Sequence, residues 1–130
     1  MEAKEFIGYF LPPGTQEYFD VESFEVKEGE EKYLGKYGFD DEYTLVLKEK
    51  EKLPNDPKLY SNKKLRTKGY SEITLEDFPI RGRKTSLRFR IRKWQVDGEP
   101  GIIQRKLEIS SEGVRYSGEF GFFFEEGNRV

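Results

Sequence analysis

The chain has 130 residues, 37% of them charged and 35% apolar, and its 11 Phe, 8 Tyr and single Trp supply much of what could form a core. Large aromatics bury much area each, so the composition describes one folded domain over residues 1–130 with a very polar surface. The absence of Cys and His excludes disulfides, cysteine nucleophiles, a Ser-His-Asp triad and an ordinary zinc site. No apolar run approaches the roughly 18 residues of a membrane span and the start lacks a signal-peptide pattern, so a cytoplasmic, non-catalytic protein without cofactor or metal is expected.

In chain order, Glu2–Leu11 reads as a short helix, because Phe6, Tyr9 and Phe10 recur at the i, i+3, i+4 spacing of one apolar stripe. Pro12-Pro13-Gly14 ends it, and Gln16–Phe19 can add a turn. Asp20–Lys27 alternates as a strand, with one slip of phase between Val21 and Phe24. The charged, glycine-containing stretch Glu28–Asp41 reads as a long hairpin loop carrying Tyr33, Tyr37 and Phe39. Tyr43–Lys50 is a second strand, with Tyr43, Leu45 and Leu47 on one face.

Lys52–Asn62, with Pro54 and Pro57, is a connection. Leu65–Phe78 is a strand or bent strand pair interrupted at Gly69, and Pro79–Gly82 is a turn. Thr85–Val96 is the clearest strand. Asp97–Gly101 turns the chain and Ile102–Ile109 returns antiparallel to it. In Val114–Glu126, Tyr116, Phe120, Phe123 and Phe124 fall at helical spacing, with Ser110 or Ser111 as N-cap and Gly127 as C-cap. Gly118 and Gly121 weaken that helix by about 1 kcal/mol each relative to Ala. The expected architecture is α+β: an antiparallel β-sheet of about five strands with a short N-terminal helix and a C-terminal helix.

The net charge is −2, but the charges are segregated: residues 1–57 hold 7 basic and 15 acidic side chains, and residues 58–106 hold 14 basic and 5 acidic. The segment Arg81–Lys93 carries seven basic residues and no acidic one. Alternation in a strand puts Leu87, Phe89 and Ile91 toward the core and Arg88, Arg90, Arg92 and Trp94 on the opposite face. Successive members of that row lie about 6.6–6.8 Å apart, which matches the spacing of nucleic-acid phosphates. Guanidinium forks suit phosphate, so Arg81, Arg83, Lys84, Arg88, Arg90, Arg92, Lys93 and Trp94 are the candidate DNA-binding residues. A solvated sheet face, or pairing with acids of the N-terminal half, would produce the same pattern.

Two other groups attract notice. Asp40, Asp41 and Glu42 are adjacent acids, but neighbours on a strand point to opposite faces, which argues against a metal site. Phe122-Phe123-Phe124 fits core packing or a docking face for another domain, and Trp94 fits either the rim of the core or a base- or sugar-contacting aromatic on the basic face.

The stretch Lys68–Arg83, with its Asp77-Phe78-Pro79-Ile80-Arg81-Gly82-Arg83, resembles the N-terminal region of a group of bacterial insertion-sequence transposases. There a D-F-P-I-R-G-K segment precedes an Arg-rich strand ending in R-R-W, here Leu87–Trp94. Leu11-Pro12-Pro13-Gly14 with Tyr18-Phe19-Asp20-Val21, and Glu112–Tyr116 with Glu119-Phe120, are similar to that region's opening and closing segments. The subgroup is related to transposases that carry an N-terminal zinc ribbon, whose ligands are lacking here. The resemblance implies a non-catalytic module that contacts the DNA of the element's terminal repeats and works with a catalytic transposase domain or subunit. A self-associating interaction module and a decayed remnant are the alternatives.

Overall fold

The computed structural model describes residues 1–31, 35, 37–54, 63–110 and 113–123, with the backbone alone at 109–110, 113–119 and 122–123. Among the described residues two short helices precede six strands: α1 (Ala3–Gly8), α2 (Thr15–Tyr18), β1 (Phe19–Lys27), β2 (Glu42–Glu49), β3 (Leu65–Ile80), β4 (Arg83–Val96), β5 (Ile102–Ser110) and β6 (Gly113–Phe123). No helix among the described residues is long and apolar enough to cross a membrane.

The N-terminal helix forms where expected, but its aromatic stripe does not face inward. Phe6, Tyr9 and Phe10 are exposed, Phe6 and Phe10 touching edge to face, while Ile7 and Leu11 pack on the core. Gly14 holds a φ of 90°, a left-handed conformation that glycine adopts without a steric penalty, and α2 starts directly after it. The Thr15 hydroxyl ties this corner by donating to the Pro12 carbonyl at 2.6 Å.

The sheet is mixed, in the order β1-β2-β4-β5-β6, with β3 on the other edge of β4. The expected all-antiparallel arrangement fails at one place: β2 and β4 run parallel, Tyr43 opposite Thr85 through Lys48 opposite Arg90. The connection from β2 passes through β3, which forms a hairpin with β4 and occupies its far edge. The strand returning beside β2 therefore has β2's own direction. The slip of phase between Val21 and Phe24 is a β-bulge, which leaves Glu22 as an extra residue and keeps both apolar side chains on the face of Leu47 and Leu45. A second bulge lies at Gly69, where φ is 89° and the register shifts between Thr67 and Tyr70.

The expected C-terminal helix over Val114–Glu126 is a strand for as far as it is described; residues 124–126 lie outside the described residues, as do Ser111 and Gly127. β6 pairs antiparallel with β5, Ile102 opposite Phe123 through Ser110 opposite Gly113. Val114, Tyr116, Gly118, Phe120 and Phe122 also alternate at period two. Two interior glycines penalise a helix, whereas aromatic residues favour a pleated strand. Strand pairing with β5 decides between the two periods.

β4 organises the core. Along one edge it pairs with β3 throughout. The other edge is shared: β2 lies beside Thr85–Arg90 and β5 beside Trp94–Gln95. The buried face of β4 changes at this handover. Leu87, Phe89 and Ile91 pack with Phe19, Leu45 and Leu47 in one cluster, and Trp94 and Val96, on the opposite face, pack with Ile103 in a second.

Candidate nucleic-acid interface

The row on β4 takes the geometry its alternation dictates, but its charges are already paired. Leu87, Phe89 and Ile91 are buried on one face. On the other face Arg88 Nη1 lies 3.2 Å from Glu25 Oε2, and Arg90 Nη1 lies 2.7 and 2.9 Å from the two oxygens of Glu22. Both carboxylates belong to β1, two strands away across β2. Arg90 also lies 3.5 Å from Glu72 and packs its guanidinium 4.6 Å from the Tyr70 ring centroid. Hydrogen bonding to Glu22 raises the pKa of Arg90 still further above the ordinary guanidinium value. A phosphate approaching this face meets as many carboxylates as guanidiniums, so the gain from releasing counterions is small.

Arg92 and Trp94 continue the row into the interior. Arg92 is 9% exposed; its guanidinium faces the rings of Tyr70 and Trp94 and donates to the Glu49 carbonyl at 3.3 Å. Trp94 is 3% exposed and belongs to the second core cluster, so its ring is not presented for stacking on bases. Lys93 is half-buried. These three belong to the packing of the domain rather than to an open surface.

Beneath them is a buried charge cluster that sequence reasoning missed. Glu49, 1% exposed, continues the buried row of Leu45 and Leu47 at the end of β2. Its carboxylate accepts the Arg92 backbone N–H at 3.1 Å, at the point where β4 passes from β2 to β5, and Arg105 Nε at 2.9 Å. Arg105, 4% exposed, lies between the Tyr18 and Phe120 rings at 4.1 and 4.6 Å. Burial pushes the Glu49 carboxyl above its ordinary value, while Arg105 and the Arg92 N–H pull it down. The cluster clamps β2, β4, β5, β6 and α2 together. A polar residue at a core position of an alternating strand was the only available signal, and its partner lies 56 residues away.

The remaining predicted residues gather at the β3–β4 turn. Arg81 and Gly82 both have positive φ, 52° and 79°, the pattern of a type I′ hairpin turn, with Ile80 opposite Arg83. Arg81 is the one non-glycine residue at positive φ among the described residues. Its side chain is exposed and Lys84 is largely so, within 3.9 Å of Glu42. Arg83 anchors the base of the turn, donating from Nε to the Gly38 carbonyl at 2.7 Å and facing the Phe39 ring. Next to these cations Phe78 is 87% exposed and Ile80 half-exposed. Residues 78–84 contain three basic residues and no acidic one.

The acidic triplet shapes the neighbouring loop. Asp41 accepts the backbone N–H groups of Gly29 and Gly38, and Asp40 those of Glu30 and Glu31. Among the described residues no group of three or more His, Cys, Asp or Glu side chains could hold a metal ion. Tyr37 and Phe39 of this loop are exposed; Tyr33 lies outside the described residues.

Comparison with known protein families, with curated proteins and with solved structures found no match to this chain.

Proposed function

We propose that this chain is a non-catalytic DNA-contacting module of a transposition system, and that it meets DNA through the β3–β4 turn rather than through the arginine row of β4. The observation that carries this reading is the turn itself: Arg81, Arg83 and Lys84 cluster there with no acidic residue in the segment. The resemblance of Lys68–Arg83 to the transposase N-terminal region centres on the same residues. Arg81 adds a physical reason. A left-handed L-residue other than Gly, Asn or Asp costs about 1–2 kcal/mol, and strain of this kind collects at functional sites.

The contact is small, because the loop beside the turn is acidic. Two phosphate contacts, from Arg81 and Lys84, give a salt slope near −1.8, or about a 12-fold loss of affinity between roughly 50 and 200 mM salt. Fluorescence anisotropy with a duplex of the element's terminal repeat reads this directly. Arg81→Gln with Lys84→Gln should lower affinity and flatten the salt slope, while Arg88→Gln with Arg90→Gln should leave both within about twofold of wild type. The reverse pattern, with the strand pair essential and the turn dispensable, refutes the assignment. A second reading, docking to a catalytic subunit, is favoured by the exposed aromatics Phe6, Tyr9 and Phe10 of α1. Light scattering of the mixed subunits, with Phe10→Ser as control, tests it.

A further inference from the structure

Phe78 is the most exposed large apolar side chain among the described residues. It stands in a β-bulge: between Asp77 opposite Thr85 and Ile80 opposite Arg83, β3 takes one more residue than β4. Its own N–H is satisfied by the Asp77 carboxylate at 2.8 Å, and Pro79 has no N–H to offer. This segment therefore presents no pair of free donors to an incoming strand, and pairing with another sheet edge is disfavoured here. What it does present is an aromatic ring, a proline and the half-exposed Ile80, on a narrow two-stranded ribbon, beside the cations of Arg81, Arg83 and Lys84.

A partner fitting both features has closely spaced negative charge outside and flat apolar surface just beneath it. Duplex DNA has that construction. Resting on the DNA-contact reading above, we propose that Phe78, backed by Pro79 and Ile80, is a wedge that enters between two base pairs while Arg81 and Lys84 engage the flanking phosphates, so that the module kinks the duplex it binds. Insertion of an apolar side chain from the groove unstacks one step and bends DNA by about 20–90°. The tight turn and the Arg83–Gly38 anchor keep the ribbon tip rigid, so that the ring is held ready rather than ordered on binding. The short tip also accounts for how a chain of net charge −2 engages a polyanion: the contact involves one step and its flanking phosphates, not a wrapped surface.

The test uses the full chain and a duplex of the terminal repeat carrying donor and acceptor dyes at its ends, with 2-aminopurine placed singly along the site. Wild-type protein should shorten the end-to-end distance and brighten 2-aminopurine at one step. Phe78→Ala should bind within about tenfold of wild type yet leave the duplex straight and 2-aminopurine quenched, and Phe78→Trp should keep the bend. Phe78→Ala should leave thermal unfolding unchanged, since the ring is 87% exposed. Wild-type binding without a bend, or an equal bend with Phe78→Ala, overturns the wedge alone. No binding by wild type overturns the DNA reading as well. Loss of a protein dimer with Phe78→Ala, seen by light scattering without DNA, assigns the ring to a protein contact and also overturns the wedge.

Discussion

Arg105→Met tests the buried charge cluster most sharply. The substitution keeps an unbranched chain between Tyr18 and Phe120, but it removes the 2.9 Å bond to Glu49 and the cation facing both rings. Glu49, 1% exposed, is then held by the Arg92 backbone N–H without a facing cation at Arg105. Breaking a buried pair from one side costs about 3–5 kcal/mol, a large part of the roughly 5–15 kcal/mol that holds a domain of this kind together. Adding Glu49→Leu removes the stranded charge but orphans the Arg92 N–H, at about 1–3 kcal/mol. Urea denaturation should therefore rank the proteins wild type, then double variant, then Arg105→Met, with strong non-additivity between the two sites. If Arg105→Met costs less than about 1 kcal/mol, or the two changes simply add, Glu49 and Arg105 do not form a desolvated pair and the clamp between β2 and β5 does not exist.

Other expectations follow from the same geometry. Burial raises the Glu49 carboxyl above its ordinary 4.5, so the folded state holds this proton more tightly than the unfolded chain does. The stability it contributes is greatest below about pH 4.5 and declines as pH rises through the raised value; Glu49→Gln should remove that slope from urea titrations run between about pH 4 and 7. Arg81→Asn should raise stability by about 0.5–1 kcal/mol, because Asn tolerates positive φ, while weakening DNA binding; calorimetry and anisotropy on the same sample check both signs. Trp94→Ala should cost about 3–5 kcal/mol, and DNA should not quench the fluorescence of this sole, buried tryptophan. Glu22→Gln should cost no more than about 1 kcal/mol in thermal unfolding, since its partner Arg90 lies at the surface.

Local features of this fold were legible in the sequence. The slip after Val21 marked a bulge, Gly69 marked an interruption of β3, and the alternation of Leu87, Phe89 and Ile91 marked the first core cluster. Each is written in a few consecutive residues. The parallel pairing of β2 with β4 was not legible, because it depends on where the β3–β4 hairpin docks. Nor was the burial of Arg92. Alternation shows which side chains share a face, but not that the neighbours change midway and cover the other face. The C-terminal segment satisfied periods of two and three to four equally, and the pairing with β5 that selects the strand is non-local. The Glu49–Arg105 contact joins residues far apart in sequence, each unremarkable among many charged neighbours.

The charge segregation along the chain has a structural consequence that composition alone does not reveal. A chain with an acidic first half and a basic second half can face a partner with one half, or fold the halves onto each other. Strand register determines how much of each occurs here. β1 runs antiparallel to β2, and β2 runs parallel to β4, so Glu22 and Glu25 come within diagonal reach of Arg90 and Arg88 across β2 and neutralise them. Farther toward the β3–β4 turn, β1 reaches Lys27 opposite Glu42, and its next charge has the same sign as the turn. The acids of β1 thus run out where β4 begins, leaving Glu42 to serve both Lys27 and Lys84. This register, and not the abundance of arginine in β4, leaves the cations of the tip without the β1 carboxylates that Arg88 and Arg90 have. Moving a carboxylate into the uncovered position tests that reasoning: Lys27→Glu should suppress salt-dependent DNA binding about as strongly as Arg81→Gln. An affinity unchanged by Lys27→Glu would mean that the end of β1 does not govern the field at the turn.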